Sequence, residues 1–322
     1  MSMAPIGIFG GSGFVGSVLA NRLVEQGYSL RIFTRDREHA RHLWLLPDTT
    51  VVAVDTGDQD RLQAGLDGCA AAVNLIGILN ERGDSGAGFR RAHVDTVAHL
   101  IKACKTVDVP HLLHLSALKA DSGGPSHYLR TKGEAEKLLL AEHGRRLRVT
   151  IVRPSVIFGP HDDFLNRFAR MLALAPGIFP LACAGAKLQP VYVGDVAEAC
   201  VRMLQSPAAA RTTYDLGGPA VLTLREIVEY VASVCERPTR VIPLGPGLST
   251  MLARLLEFAP GKPLSRDNLR SLEVDSILSG ANGLTALGIE PQPLAALVPR
   301  YLARQSLRGR YNQFRRTAGR ER

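Results

Sequence analysis

Ile6-Gly7-Ile8-Phe9-Gly10-Gly11-Ser12-Gly13-Phe14-Val15-Gly16 is the stretch on which the reading of the chain turns. Residues 5 to 9 read as a short apolar strand, and the glycines that follow have the spacing G-x-x-G-x-x-G. Gly10 permits a tight turn, Gly13 lets backbone N–H groups approach a pyrophosphate, and Gly16 allows the next helix to pack close to the sheet. That helix covers Gly13 to Gln26, with Val15, Leu19 and Leu23 on one face and Gly27 as its stop. Its N-terminus turns the positive end of the helix dipole toward the turn, so Ser12, Phe14 and Val15 join the glycines as candidate cofactor-binding positions. The string alone is common; placed between a strand and a helix it predicts dinucleotide binding, with a turn that has lost its ligand as the plain alternative.

Outward from this turn, apolar runs alternate with amphipathic stretches, as in repeated βα units. Strands are predicted near residues 5–9, 29–34, 50–54, 71–76, 111–116 and 148–153. The fold expected is α/β, a Rossmann-type doubly wound parallel sheet. Beyond Pro154 the alternation breaks down, and helical stretches such as Asp195 to Leu204 and Leu224 to Cys235 are separated by loops. The expected organisation is a dinucleotide-binding domain over 1–160, which also receives segments near 189–218, a smaller, mainly helical substrate or partner lobe over 161–304, and a basic tail over 305–322.

Composition fits one large domain or two intimate ones: 322 residues, 46% hydrophobic and 21% charged. Cys69, Cys104, Cys183, Cys200 and Cys235 include no C-x-x-C pair, which favours a reducing compartment and predicts no metal site. Met-Ser-Met-Ala-Pro runs straight into the first strand with no secretory pattern, so a cytoplasmic location is expected. The uncharged run from Met171 to Ala186 is shorter than the ~18 apolar residues of a membrane span and is broken by Pro176, Gly177 and Pro180. Formal net charge is +9, and six arginines lie in the last eighteen residues, among them Arg315, Arg316 and Arg320. Such a tail suits peripheral contact with the cytoplasmic face of an inner membrane or with an acidic partner, or is simply solvated; no specific nucleic acid partner is expected.

Cofactor choice is read at the end of the second strand, where NAD-specific sites offer a carboxylate to the ribose 2′-hydroxyl. Thr34 stands there and Arg35 follows. An arginine pairs with a 2′-phosphate that a carboxylate would repel, so NADP(H) is favoured over NAD(H). Asp36 leaves the opposite choice open, and Arg35 as a plain loop charge is the other reading. Asp58, after the third strand, is placed to reach the adenine amino group. Asn74, Ile76 and Gly77 end the fourth strand where the backbone could pass the ribose, although a buried asparagine satisfied by main chain would account for Asn74.

Further segments carry a family resemblance: Tyr128-Leu129-Arg130-Thr131-Lys132, Arg153-Pro154-Ser155-Val156-Ile157-Phe158-Gly159 and Pro190-Val191-Tyr192-Val193-Gly194-Asp195-Val196-Ala197. With the glycine turn they resemble the extended and atypical short-chain dehydrogenase/reductases, the NAD-dependent epimerase/dehydratase group, over nearly the whole chain. More narrowly, Phe9, the Asp163–Phe168 segment, Gln189–Val193 and Ser265-Arg266-Asp267 are similar to the nucleotide-binding accessory subunit of respiratory complex I and its bacterial relatives.

The superfamily resemblance implies a catalytic pair in Tyr128 and Lys132, one helical turn apart on a shared face. The ammonium would hold the nicotinamide ribose and lower the phenol's pKa, so that the phenol exchanges a proton as hydride moves. Ser116 stands at the end of the fifth strand, and the same resemblance puts the hydroxyl that holds the substrate oxygen two residues further on, where this chain has Leu118. Ser116 is then either a catalytic hydroxyl or only a cofactor-facing or capping one. Pro154, Ser155 and Val156 correspond to the segment that passes the nicotinamide carboxamide, with Arg153 as anchor. Asp195 is read as a helix N-cap, and His127 as a surface residue.

Two functions follow. One is an accessory nucleotide-binding protein tied to a respiratory or quinone-synthesising complex. The other is an active NADP(H)-dependent oxidoreductase or epimerase acting on a quinone-like, isoprenoid or nucleotide-sugar substrate.

Overall fold

A computed structural model describes residues 4–144, 146–174, 177–205, 212–259 and 262–303. The arginine-rich tail expected over 305–322 lies outside them. The described residues divide into two compact units: those within 4–154, 193–216 and 278–290 form one, and those within 155–192, 217–277 and 291–303 the other.

The first unit is built on β1 (Ile6–Phe9), β2 (Leu30–Thr34), β3 (Thr49–Ala53), β4 (Ala71–Asn74), β5 (His111–Leu115) and β6 (Arg148–Pro154). With the strand Thr213–Leu216 they make a seven-stranded sheet whose spatial order is that strand, then β6, β5, β4, β1, β2 and β3, each pair parallel. Central strands β1 and β4 are buried at every residue, so their sequences run continuously apolar; edge strand β3 buries only Val51. That difference is what a parallel sheet covered on both faces imposes. The chain winds outward from β1 through β2 to β3, then returns to lay β4 on the other side of β1. The reversal opens a crevice at the carboxyl ends of β1 and β4, where doubly wound sheets bind their ligands.

All six strands fall within a residue or two of the sequence expectation. The clearest difference is β4, which stops at Asn74 rather than 76: the Asn74 side-chain oxygen takes the Ile76 N–H at 3.1 Å and turns the chain out of the sheet.

Helices α1 (Phe14–Glu25), α2 (Gln59–Leu66), α3 (Ala87–Arg90), α4 (Thr96–Thr106) and α5 (His127–Glu142) connect these strands. Between α3 and α4 the residues Arg91–Asp95 form a π-helical turn, a widening often found where a helix must aim a side chain at a site. α2, α4 and α5 share a core with Phe9, Ala72, Leu112 and Ile151. The helix Val193–Gln205 packs on α1. It begins two residues before Asp195, so this carboxylate lies within the first turn and not at the cap, where it complements the helix dipole.

Among its described residues the second unit holds helices Leu165–Leu174, Leu224–Val234, Pro246–Leu256, Arg266–Ser271 and Leu294–Leu302, with three two-stranded pieces. Phe158, Leu172, Phe179, Ile227, Val231 and Val298 fill its core. Thr223 and Glu226 form a reciprocal capping box at the start of Leu224–Val234. No helix among the described residues is long and apolar enough to cross a membrane.

One glycine sets the position of α5. A Cβ at Gly133 would lie 2.4 Å from the Asp121 carbonyl carbon and the Ser122 nitrogen, so only a bare backbone lets this helix press against the loop that follows β5. Gly133→Val is expected to lower stability by about 1–3 kcal/mol, the cost typical of overpacking. Urea denaturation of both forms checks this, and equal midpoints would contradict it.

Candidate functional site

The glycine turn is main chain packed on main chain. Gly10 has φ +77°, and a Cβ there would approach the Leu75 carbonyl carbon and the Ile76 nitrogen at 3.1 and 3.2 Å. Gly13 N donates to Gly10 O at 3.0 Å, closing the turn, and Gly13 caps α1 with no side chain in the way. Gly16 was expected to bring the helix close to the sheet. Its neighbour is the turn itself: an added Cβ would lie 2.2 Å from Gly10 O, whereas the glycine close to the sheet is Gly11, where an added Cβ would lie 2.8 Å from the Ile32 side chain. Ser12, Phe14 and Val15 complete the same turn and the first residues of α1, so the first N–H groups of that helix have no intrahelical partner.

Thr34 ends β2, and its hydroxyl bonds the main chain of Asp36, donating to the carbonyl at 2.9 Å. Asp36 in turn accepts the Glu38 N–H at 2.9 Å, so its carboxylate serves the turn it begins. Arg35 between them is exposed. Asp58 is the N-cap of α2, accepting from Arg61 N at 3.2 Å and facing the Arg61 guanidinium at 3.4 Å. Its carboxylate is engaged at that helix end, which accounts for the residue without a ligand.

Past the ends of β4 and β5 the structure gathers Asn74, Gly77, Ser116, Tyr128 and Lys132 with residues the sequence did not single out. Asn74 is buried and shares a 3.1 Å hydrogen bond with His114 Nδ1 on β5. Lys132 Nζ donates to Leu115 O at 2.8 Å, and a Cβ at Gly77 would stand 3.4 Å from Nζ. Burial holds the Lys132 ammonium down at about 8, opposed by the Glu136 carboxylate. Burial also pushes the half-buried Tyr128 phenol up to about 12. The lowering expected from the Lys132 ammonium is not seen, and burial is what raises the phenol. His127 is half-buried beside Arg130 Nη2, 3.0 Å away, rather than on the surface.

Glu136 extends the pair to a series at i, i+4 and i+8. Arg153 Nε donates to both of its oxygens at 2.9 and 3.0 Å, and Asp215 lies 3.9 Å from the Arg153 guanidinium. Arg153 is thus an anchor, tying β6 to α5. Pro154 ends β6 and accepts the Leu118 N–H at 2.9 Å. Ser155 and Val156 belong to the second unit, where the Ser155 hydroxyl donates to Ser276 O at 2.7 Å and accepts from Gln189 N at 3.1 Å. Arg167 and Arg266 pair with Asp163 and Glu257.

His93, Thr131, His114 and Glu136 are the residues that sequence reasoning missed. Only Glu136 had a visible signal, its helical spacing from Tyr128 and Lys132.

Two buried polar atoms, Ser116 Oγ and His114 Nε2, make no hydrogen bond within the described residues. Buried polar groups nearly always have partners. Together with a turn that a single Cβ would fill, these atoms fit a bound dinucleotide: phosphates on the free N–H groups of residues 14–16, ribose and nicotinamide toward Gly77, Ser116 and Lys132.

Fold and site define a dinucleotide-binding doubly wound α/β protein. Residues 6–217 match the model of the NAD dependent epimerase/dehydratase family, and the chain belongs to that family; it is a pyridine-nucleotide-binding protein. It is 29% identical over 298 residues to NADH dehydrogenase [ubiquinone] 1 alpha subcomplex subunit 9, mitochondrial, of Mus musculus, covering 89% of this chain and 76% of that one. Ceramide reductase of Caulobacter vibrioides is 25% identical over 246 residues, 76% of this chain and 75% of that one. Among solved structures, Thermus thermophilus UDP-glucose 4-epimerase in complex with NAD has a TM-score of 0.69 at 20% identity, over 94% of this chain and 98% of that one, a likeness of fold.

Burial lowers three histidines in the first unit below their ordinary 6.5: His93 to about 2, His111 to about 4, and His114 in the same direction. The unfolded chain then binds more protons than the native one, so stability present above pH 6.5 is lost as pH falls. Each fully titrating group contributes up to about 1.4 kcal/mol per pH unit. Urea unfolding between pH 7 and pH 5 should show falling stability before the carboxylates titrate; a flat profile would contradict the buried, neutral assignment.

Proposed function

We propose that this chain is an accessory nucleotide-binding protein. It holds NADP(H) as a fixture of its fold and contributes to the assembly or stability of a membrane-bound respiratory complex that handles quinone. The observation that carries this reading is Leu118, buried beside Ser116 where the superfamily resemblance calls for a hydroxyl to hold a substrate oxygen. An apolar side chain there leaves that oxygen without its second donor, while nucleotide contacts are untouched. The relationship to a mitochondrial NADH dehydrogenase subunit over most of both chains supports the choice of complex. On this reading Ser116 faces the cofactor, and attachment is at the membrane surface.

NADP(H) is preferred to NAD(H) because Thr34 is uncharged and neutral to a 2′-phosphate, Asp36 is occupied by its own turn, and Arg35 is exposed for pairing. Arg35→Glu is expected to reduce the ratio of NADPH to NADH affinity by at least about tenfold, the loss of one charge-assisted contact together with new repulsion. Calorimetry with both nucleotides measures the ratio; no change would return the choice to NAD(H).

The second reading, reduction of a lipophilic carbonyl, is favoured by one observation, the intact pair Tyr128 and Lys132 on one face of α5. Bound NADPH would supply the hydride. The Tyr128 hydroxyl would give its proton to the carbonyl oxygen, and Lys132 would hold the ribose. The two readings separate in cells that lack the chromosomal copy. Under the accessory reading, Tyr128→Phe restores NADH:quinone activity of membranes as fully as the parent chain. Loss of rescue by Tyr128→Phe, with folding and retained nucleotide intact, would select catalysis.

A further inference from the structure

His93 occupies the π-helical turn between α3 and α4, is 0% exposed, and is linked on both ring nitrogens to the parts of the first unit that carry the site. Its Nε2 accepts the Ile78 N–H at 3.2 Å, from the loop that leaves β4 directly after Gly77. Its Nδ1 lies 2.9 Å from Thr131 Oγ1, on α5 next to Lys132. The ring also meets Tyr128 edge-on at 5.6 Å between centroids, and Nε2 would be 3.7 Å from a Cβ at Gly77.

The hydrogen atoms of this chain of contacts are determined. A backbone N–H can only donate, so His93 Nε2 must present its lone pair to Ile78. Thr131 sends its own hydroxyl proton back along the helix to His127 O at 2.8 Å, which leaves the Thr131 oxygen to accept from Nδ1–H. The threonine therefore fixes the imidazole tautomer, and the tautomer fixes the loop. Protonation would break the arrangement, since Nε2–H⁺ would point at a donor. Burial and the nearby Lys132 ammonium both oppose it.

We propose that His93 is a positioning residue for the nucleotide site, a neutral clamp that holds the Gly77–Ile78 loop to α5 at the spacing that bound nucleotide requires. This rests on the assignment of the site to a pyridine nucleotide. The π turn belongs to the device: its extra residue per turn rotates His93 inward, between the loop and the helix. Gly77 contributes bareness, Lys132 contributes charge, and His93 sets the distance between them. Phe89, tilted at 5.8 Å, limits the ring's rotation.

The test uses the full chain and three variants, His93→Leu, His93→Gln and Thr131→Val. Thr131→Val keeps the shape of the side chain and leaves the His93 ring in place, so the proposal stays testable if His93→Leu fails to fold. Two quantities are read: NADPH affinity by calorimetry, and hydrogen exchange in peptides spanning residues 75–80 without nucleotide. Thr131→Val and His93→Leu are expected to accelerate exchange there by at least about tenfold and to weaken NADPH by a similar factor. His93→Gln can still accept from Ile78 N–H, and should stay within about threefold of the parent on both. Unchanged exchange at 75–80 in Thr131→Val would overturn the clamp. So would accelerated exchange with NADPH affinity within twofold of the parent, because the loop would then be held for stability alone. A parent chain that binds no pyridine nucleotide would sink the nucleotide assignment and with it the proposed role, whereas failure of the clamp alone leaves parent affinity intact.

Discussion

A carbon atom added at Gly16 would sit 2.2 Å from the Gly10 carbonyl oxygen, and one added at Gly10 would crowd the peptide between Leu75 and Ile76. The structure depends on this backbone-to-backbone approach at the reversal point of the sheet. It brings the start of α1 against the chain leaving β4, so that free N–H groups of one and the bare Gly77 of the other border the same crevice. Side chains anywhere in the contact would separate the two and leave the helix end facing its own turn. The paired strands β1 and β4, buried at every residue, provide the rigid base that makes so close an approach reproducible.

Around that approach lies a buried polar layer, Asn74 and His114 on the sheet, His93 in its π turn, and Thr131, Lys132 and Glu136 on α5. Low polarity strengthens each hydrogen bond in it and penalises each unpaired group. That is why the histidines are neutral and why one cation, Lys132, has its charge countered by Glu136 and its protons directed to Leu115 O. The two atoms left over, Ser116 Oγ and His114 Nε2, mark where the layer is incomplete without a ligand. On the proposed accessory reading, Leu118 separates holding a nucleotide from using it, because it puts a hydrocarbon where a substrate oxygen would need a donor.

Strands, first helix and glycine turn were legible in the sequence because they rest on local period and on glycine at set spacing. The end of β4 was misplaced by two residues because its termination is a side-chain event, Asn74 capturing the Ile76 N–H, which an apolar run does not reveal. The role of Gly16 was misassigned between sheet and turn for a similar reason: the spacing announces a close approach but not its other party. Tyr128 and Lys132 were legible from spacing and family resemblance, and Glu136 was within reach of the same helical count. His93 and His114 were not, since their partners lie 15 to 40 residues away and are brought near only by the parallel sheet. Asp58 shows the converse: a carboxylate at the right place on the chain whose observed work is at a helix end.

The most direct measurement compares the parent chain with Gly16→Ala, a one-carbon change aimed at the closest approach in the turn, by calorimetric titration with NADPH on material shown by circular dichroism to be folded. The account predicts saturable binding by the parent chain and a loss of at least about a hundredfold in the variant, since displacing the N-terminus of α1 removes several N–H contacts at once. A folded Gly16→Ala protein that binds NADPH as tightly as its parent would contradict it.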